Sequence, residues 1–180
     1  MQERFVFFGV ACLGLAIAAA ATMRMQEKAP PASPPAKASC DLGAGKSITI
    51  DYSSPRAKGR KIYDGLVPYG KVWRAGANAA TTFLTTADLK VGGTDVPAGS
   101  YTLFAIPEAG KWTLVISKKT GEWGTNYPGP SEDLARIPMT VSATAGPVEN
   151  FTIAFDKAAS GCVLHLDWEN TRASVDIAKK

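Results

Sequence analysis

SYTLFAIPEAGKWTLVISK, residues Ser100–Lys118, contains two runs dense in apolar residues, Ser100–Ile106 and Lys111–Lys118, parted by Pro107–Gly110. Runs of this length, rich in Val, Ile, Leu, Tyr, Phe and Trp, read as central strands, and the Pro-Glu-Ala-Gly between them reads as a hairpin turn. Outward from this hairpin the apolar density thins to a two-residue alternation, the signature of half-buried strands. In Ser47–Tyr52 the residues Ile48, Ile50 and Tyr52 share one face, and in Phe151–Asp156 the residues Phe151, Ile153 and Phe155 do. Thr81–Thr86, Ile137–Ala143, Gly161–Trp168 and Thr171–Ile177 complete the set. Eight or more short strands with Gly, Pro and Asn turns between them predict a mainly β domain, an antiparallel sandwich or jelly-roll-like fold. A single short helix is expected at Ser131–Arg136, SEDLAR, with Ser131 as N-cap and acids in the first turn.

A chain of 180 residues holds one such domain and has no room for a second. Its first residues are of another kind. Met1–Arg4 leads into the apolar run Phe5–Ala21, so residues 1–21 read as an export signal or an uncleaved N-terminal membrane anchor. Cys12, preceded by Gly9-Val10-Ala11, is a poor lipidation site. Residues 22–38, with KAPPASPPAKA at Lys28–Ala38, carry Pro and Ala but no aromatic group, and predict an extended, disordered linker. The folded domain is expected over residues 39–180, in an exported protein of the periplasm or cell envelope that meets the membrane only through its N-terminal segment if that is retained.

With Cys12 assigned to the signal, Cys40 and Cys162 remain. Two cysteines in an exported chain favour one disulfide, and a loop of more than 100 residues would be closed by it, a stabilisation of roughly 4 to 5 kcal/mol on the chain-entropy account. The alternative is two free thiols. One histidine, His165, and two distant cysteines supply no zinc spacing, so no metal site is expected. From Ser39 onward 16 Lys and Arg face 14 Asp and Glu, a net charge of +2 that does not argue for nucleic acid. No GxSxG elbow, Walker loop or dinucleotide GxGxxG is present, so no catalytic residue and no cofactor is assigned.

Two places carry chemistry worth weighing. His165, Asp167 and Glu169 fall on the strand face opposite Cys162, Leu164, Leu166 and Trp168, about 6 to 7 Å from one to the next. As a hydrolytic site they would supply acid and base; as ordinary residues they are a solvated outer face. The segment Arg56–Arg74 sets Arg56, Lys58, Arg60, Lys61, Lys71 and Arg74 against the one acid Asp64, with Tyr63, Tyr69 and Trp73 interleaved. Guanidinium forks and flat rings together suit a small anionic or polyhydroxylated ligand, with Arg60, Tyr69, Trp73, Arg74 and Asn78 as the binding set. The competing reading is a loop braced across the sandwich, its arginines bonding carbonyls or acids such as Glu169 and its aromatics capping the core, in a structural or partner-binding envelope module with no ligand. Gly70, Gly76 and Asn78 each tolerate positive φ, which would let VWRAGAN turn sharply; Asn78 would equally fit an Asx-turn. GEWGTNYPG, Gly121–Gly129, offers Trp123 and Tyr127 as lid residues or core caps.

GRKIYDGLVPYGKVWRAGANAATTF (Gly59–Phe83), followed in order by VPAGSYTLFAIP, KWTLVISK, EWG and LDWENTRASV, resembles the bacterial family catalogued as domain of unknown function 2911. The likeness spans about Ile48 to Ile177 and rests on Gly59, Arg60, Leu66, Pro68, Tyr69, Trp73, Arg74, Gly76, Ala77, Asn78 and Thr81. It implies an exported or envelope-associated protein and no particular reaction. Ala79 stands where GANEAT-like versions carry an acid, which weakens any enzymatic role resting on that acid.

Overall fold

The computed structural model describes residues 31–180. It is an antiparallel β structure with the strands β1 (Pro35–Gly43), β2 (Lys46–Ser53), β3 (Thr81–Thr85), β4 (Leu89–Val91), β5 (Thr94–Val96), β6 (Gly99–Glu108), β7 (Lys111–Ser117), β8 (Asp133–Ala158) and β9 (Gly161–Lys179). Their order in the sheet is β1-β2-β3-β6-β7-β8-β9-β4-β5. The Ser100–Lys118 hairpin is its centre: β6 pairs with β7 from Thr102↔Ser117 to Glu108↔Lys111, and each strand has a further neighbour outside. Both faces of this pair are covered. Leu103, Leu114 and Ile116 point into the core with Trp112, while Phe104 and Val115 on the other face are equally buried, Phe104 under the ring of Tyr127 at 5.3 Å.

Toward the sheet's ends one face stays in the core. Ile48, Ile50 and Tyr52 of β2 and Phe83 of β3 alternate with more open positions, as their two-residue period requires, and Leu164, Leu166 and Trp168 of β9 enter the same core. Burying each such side chain contributes about 1.5–3 kcal/mol before the entropy of ordering is subtracted. The sheet rolls over this core until β1 lies against β8 and β9. There a disulfide joins Cys40 to Cys162 across 122 positions, with Cα atoms 6.5 Å apart. Among the described residues no helix is long and apolar enough to cross a membrane.

The long strands bend sharply. β9 turns back on itself at Glu169, which has φ 49°. Asp167 thereby meets Arg172, and the Lys179 N–H donates to the Ser160 carbonyl. β8 arches past this turn, its pairing with β9 jumping from Ala143↔Thr171 to Val148↔Glu169, and the Thr144 hydroxyl donates to the Glu169 carbonyl. Gly161 must be glycine, because a Cβ there would lie 2.2 Å from the Ile177 oxygen.

Two expectations are corrected. The SEDLAR helix is one 3-10 turn, Pro130–Glu132, after which Asp133 enters β8 and pairs with Ser117; ladder hydrogen bonds with β7 outweigh a weak local helix preference. β1 begins at Pro35, four residues before Ser39, which works because a strand's first residue at a sheet edge needs no N–H. The β4–β5 hairpin, turning at Gly92-Gly93, adds two strands of only three residues each, too short to show a period in sequence. Residues 1–30, with the expected signal or anchor, lie outside the described residues.

Candidate functional site

The link between β2 and β3, residues 54–80, is long but closely tied. Its first part adds a short edge to β8: the Ala57 N–H donates to the Glu149 carbonyl, and the Phe151 N–H to the Pro55 carbonyl. The Ser54 hydroxyl reaches the Phe151 carbonyl at 2.6 Å, and Arg56 donates back to Ser54. Ile62–Val67 then closes a tight turn around Asp64, at φ 57°. The last part runs beside β6 beyond the end of β3, with Trp73 and Ala105 exchanging two backbone hydrogen bonds of 2.8 Å. Backbone pairing with β6 thus fixes the Trp73 side chain, which turns inward to stack on Trp168 at 5.9 Å and to meet Phe151 edge-on at 4.9 Å.

The turn after Trp73 differs in detail from its sequence reading. Gly70 and Asn78 do have positive φ, 68° and 58°, but Ala75, at 47°, takes the third left-handed position. Gly76 is needed for close approach instead: a Cβ there would meet Thr81 Oγ1 at 3.0 Å and the Ser53 carbonyl oxygen at 3.1 Å. Asn78 forms no bond to its own backbone. Its amide donates to the Ser33 carbonyl and to Ser53 Oγ, both at 3.3 Å.

Between these segments lies a pocket of about 260 Å³. Arg60, Trp73 and Arg74 of the expected set line it, together with Lys71, Leu66, Val67, Val72 and Trp168, and no carboxylate does. Arg74 is half-buried, its Nε is buried without a hydrogen-bond partner, and it has no ion pair, with Glu169 or otherwise, among the described residues. Burial alone pushes its pKa below the usual guanidinium value, so the charge is held at a cost that an incoming anion would offset. Arg60 is partly engaged, donating from Nε to the Ala57 carbonyl and from Nη2 to that of Arg56. Lys61 pairs with Asp64 at 3.5 Å on the open surface, where such a pair contributes little.

Tyr69 and Asn78 do not line the pocket. Tyr69 stacks outside it on Tyr63 at 6.4 Å, and Asn78 holds the segment at Ser33, itself part of the rim. Sequence reasoning missed Trp168, a buried core-face strand residue that also borders the pocket, and Thr125, brought to the rim by the Gly121–Gly129 loop. In that loop Trp123 is 67% exposed and bridges Ala79. Tyr127 caps Phe104 and donates to Asp133 at 2.7 Å, so it belongs to the wall of the sheet.

The outward face of β9 is not solvated as expected. His165 and Asp167 are buried, with Asp167 held by both arms of Arg172 at 2.9 and 2.6 Å. His165 Nδ1 lies 3.3 Å from Asp167 and Nε2 lies 3.5 Å from Asp156. Alternation predicted the face correctly, but the fold-back at Glu169 brings Arg172 over it. Glu169 itself lines a separate open depression with Arg60, Lys61 and Glu149, from which His165 and Asp167 are absent. Among the described residues no group of His, Cys, Asp and Glu is arranged to hold a metal ion.

A family model described as "Protein of unknown function (DUF2911)" matches residues 33–177. No curated protein and no solved structure matches the chain.

Proposed function

The chain belongs to the DUF2911 family, and we propose that it is an exported envelope protein that binds a small anionic ligand in the Arg74 pocket. The observation that carries the binding reading is the combination of three cationic side chains, Arg60, Lys71 and Arg74, with no carboxylate in the lining and with the Arg74 Nε left unpartnered. A half-buried guanidinium that only braced a loop would be expected to satisfy its donors on nearby carbonyls, as Arg60 and Arg56 do. Export is supported by the apolar run Phe5–Ala21 and by the Cys40–Cys162 disulfide, a bond that persists in oxidising compartments.

A thermal-shift panel of carboxylates, phosphate, sulfate and neutral sugars on the purified protein tests the binding reading. At least one anion should raise the Tm of the wild type and leave that of Arg74→Gln unchanged. An anion that shifts both proteins equally would place binding elsewhere. Export is tested by fusing β-lactamase after Ala38, since resistance appears only if the enzyme leaves the cytoplasm.

A further inference from the structure

The lining of the Arg74 pocket narrows the ligand further than its charge alone, because its cations stand beside a wall that is largely apolar. The backbone N–H groups of Trp73 and Ala77, two lining residues, are engaged by the carbonyls of Ala105 and Ser53. The Trp73 indole N–H is engaged by the Gly76 carbonyl at 3.2 Å. Arg60 has given two donors to the backbone. The guanidinium of Arg74 and the ammonium of Lys71 have no partner among the described residues, and Arg60 keeps three of its five N–H groups. Side-chain acceptors are scarce: with no Asp, Glu, Asn or Gln in the lining, only the hydroxyls of Ser33 and Thr125 at the rim are available. The rest of the wall is apolar.

Resting on the binding reading above, we propose that the ligand is a hydrophobic monocarboxylate, its carboxylate on Arg74 and Lys71 and an apolar body of about ring size against Trp73, Trp168, Val67 and Leu66. A carboxylate matches a single guanidinium fork, in two parallel hydrogen bonds. A phosphate dianion has no apolar part to set against Leu66, Val67 and Trp73, so it would leave that wall either wetted or facing charged oxygens. A sugar would bury several hydroxyl donors opposite a wall whose side-chain acceptors are the Ser33 and Thr125 hydroxyls at the rim, which costs affinity for each one left unpaired.

Titration calorimetry with four probes separates the outcomes: benzoate, its uncharged counterpart benzyl alcohol, inorganic phosphate and glucose. Benzoate is expected to bind, benzyl alcohol at least about tenfold more weakly, and phosphate and glucose not to compete. Arg74→Gln should weaken benzoate by about ten- to a hundredfold, the range for loss of a charge-assisted pair. Leu66→Asp is the second variant. Leu66 is 47% exposed, so the fold tolerates the change, while a negative charge at the pocket should weaken benzoate at least about tenfold more than it weakens benzyl alcohol, which loses the same apolar contact but carries no charge. Phosphate or glucose binding that depends on Arg74 while benzoate fails would overturn the ligand class and keep the binding site. Benzoate binding unaffected by both substitutions would overturn the placement, and no binding by any probe at millimolar concentration would overturn both readings.

Discussion

Trp73 stacks on Trp168 with ring centroids 5.9 Å apart and planes 18° from parallel, a loop residue laid on the end of a strand. Trp112 and Phe151 meet Trp73 edge-on, so its ring belongs to the core cluster while the residue also lines the pocket. The loop's position, and with it that of Arg74, therefore depends on core packing.

Removing that ring should loosen both. Trp73→Ala is expected to cost about 3 kcal/mol, the lower end for a large aromatic because Trp73 is only half-buried, and Trp73→Phe about 1 kcal/mol. Urea unfolding measures the difference as a fall in midpoint at unchanged slope. A loss under 1 kcal/mol for Trp73→Ala would mean that the two backbone bonds to Ala105 hold the loop without the ring.

Tyr63 is buried in the same cluster, edge-on to Trp112 at 5.3 Å, and its hydroxyl has no hydrogen-bond partner. Burial raises its pKa well above the ordinary tyrosine range, and the charges of Glu169 and Asp167 add to the effect. The folded state thus holds this proton more tightly than the unfolded chain. Its contribution is complete below about pH 10 and declines as pH rises above it, by up to about 1.4 kcal/mol per pH unit. Tyr63→Phe should therefore leave stability at pH 7 unchanged or raise it by about 1 kcal/mol, and should flatten the decline above pH 10. Equal alkaline slopes for the two proteins, by circular dichroism melts from pH 8 to 11.5, would refute this assignment.

The half-buried pair Asp167–Arg172 makes an opposite case. Arg172→Met leaves Asp167 desolvated beside His165 with its main partner gone, a loss expected at about 2 kcal/mol since Arg172 keeps some solvent access. Adding Asp167→Leu should recover part of it. A double variant less stable than Arg172→Met would show that Asp167 does more than answer its arginine.

Much of this architecture is legible one strand at a time. Apolar density in Ser100–Lys118 and alternation in Ser47–Tyr52 give strand identity and core face, because a strand's period is a local property. Coverage is not local. Alternation puts His165 and Asp167 opposite the core but cannot show that Arg172, five positions on, folds back over them, since the turn hinges on Glu169 at positive φ, a conformation non-glycine residues rarely signal. The pocket divides likewise: Arg60 and Arg74 stand out by composition, whereas the role of Trp168 arises only when Trp73 is drawn inward by pairing with β6.

The Cys40–Cys162 disulfide closes the rolled sheet where β1 meets β9, and its large sequence separation fixes the size of its effect. With 122 positions between the cysteines, the chain-entropy account gives a stabilisation of about 5 kcal/mol, acting on the unfolded chain. A Cys40→Ala/Cys162→Ala variant should lose most of that, and its urea slope should rise because the unfolded chain exposes more surface once uncrosslinked. The single variants are poor controls, as each leaves a free thiol; reduction of the wild type is the better one and should reproduce the double variant. A change below 1 kcal/mol, or an unaltered slope, would mean that the unfolded chain keeps β1 and β9 together without the bond.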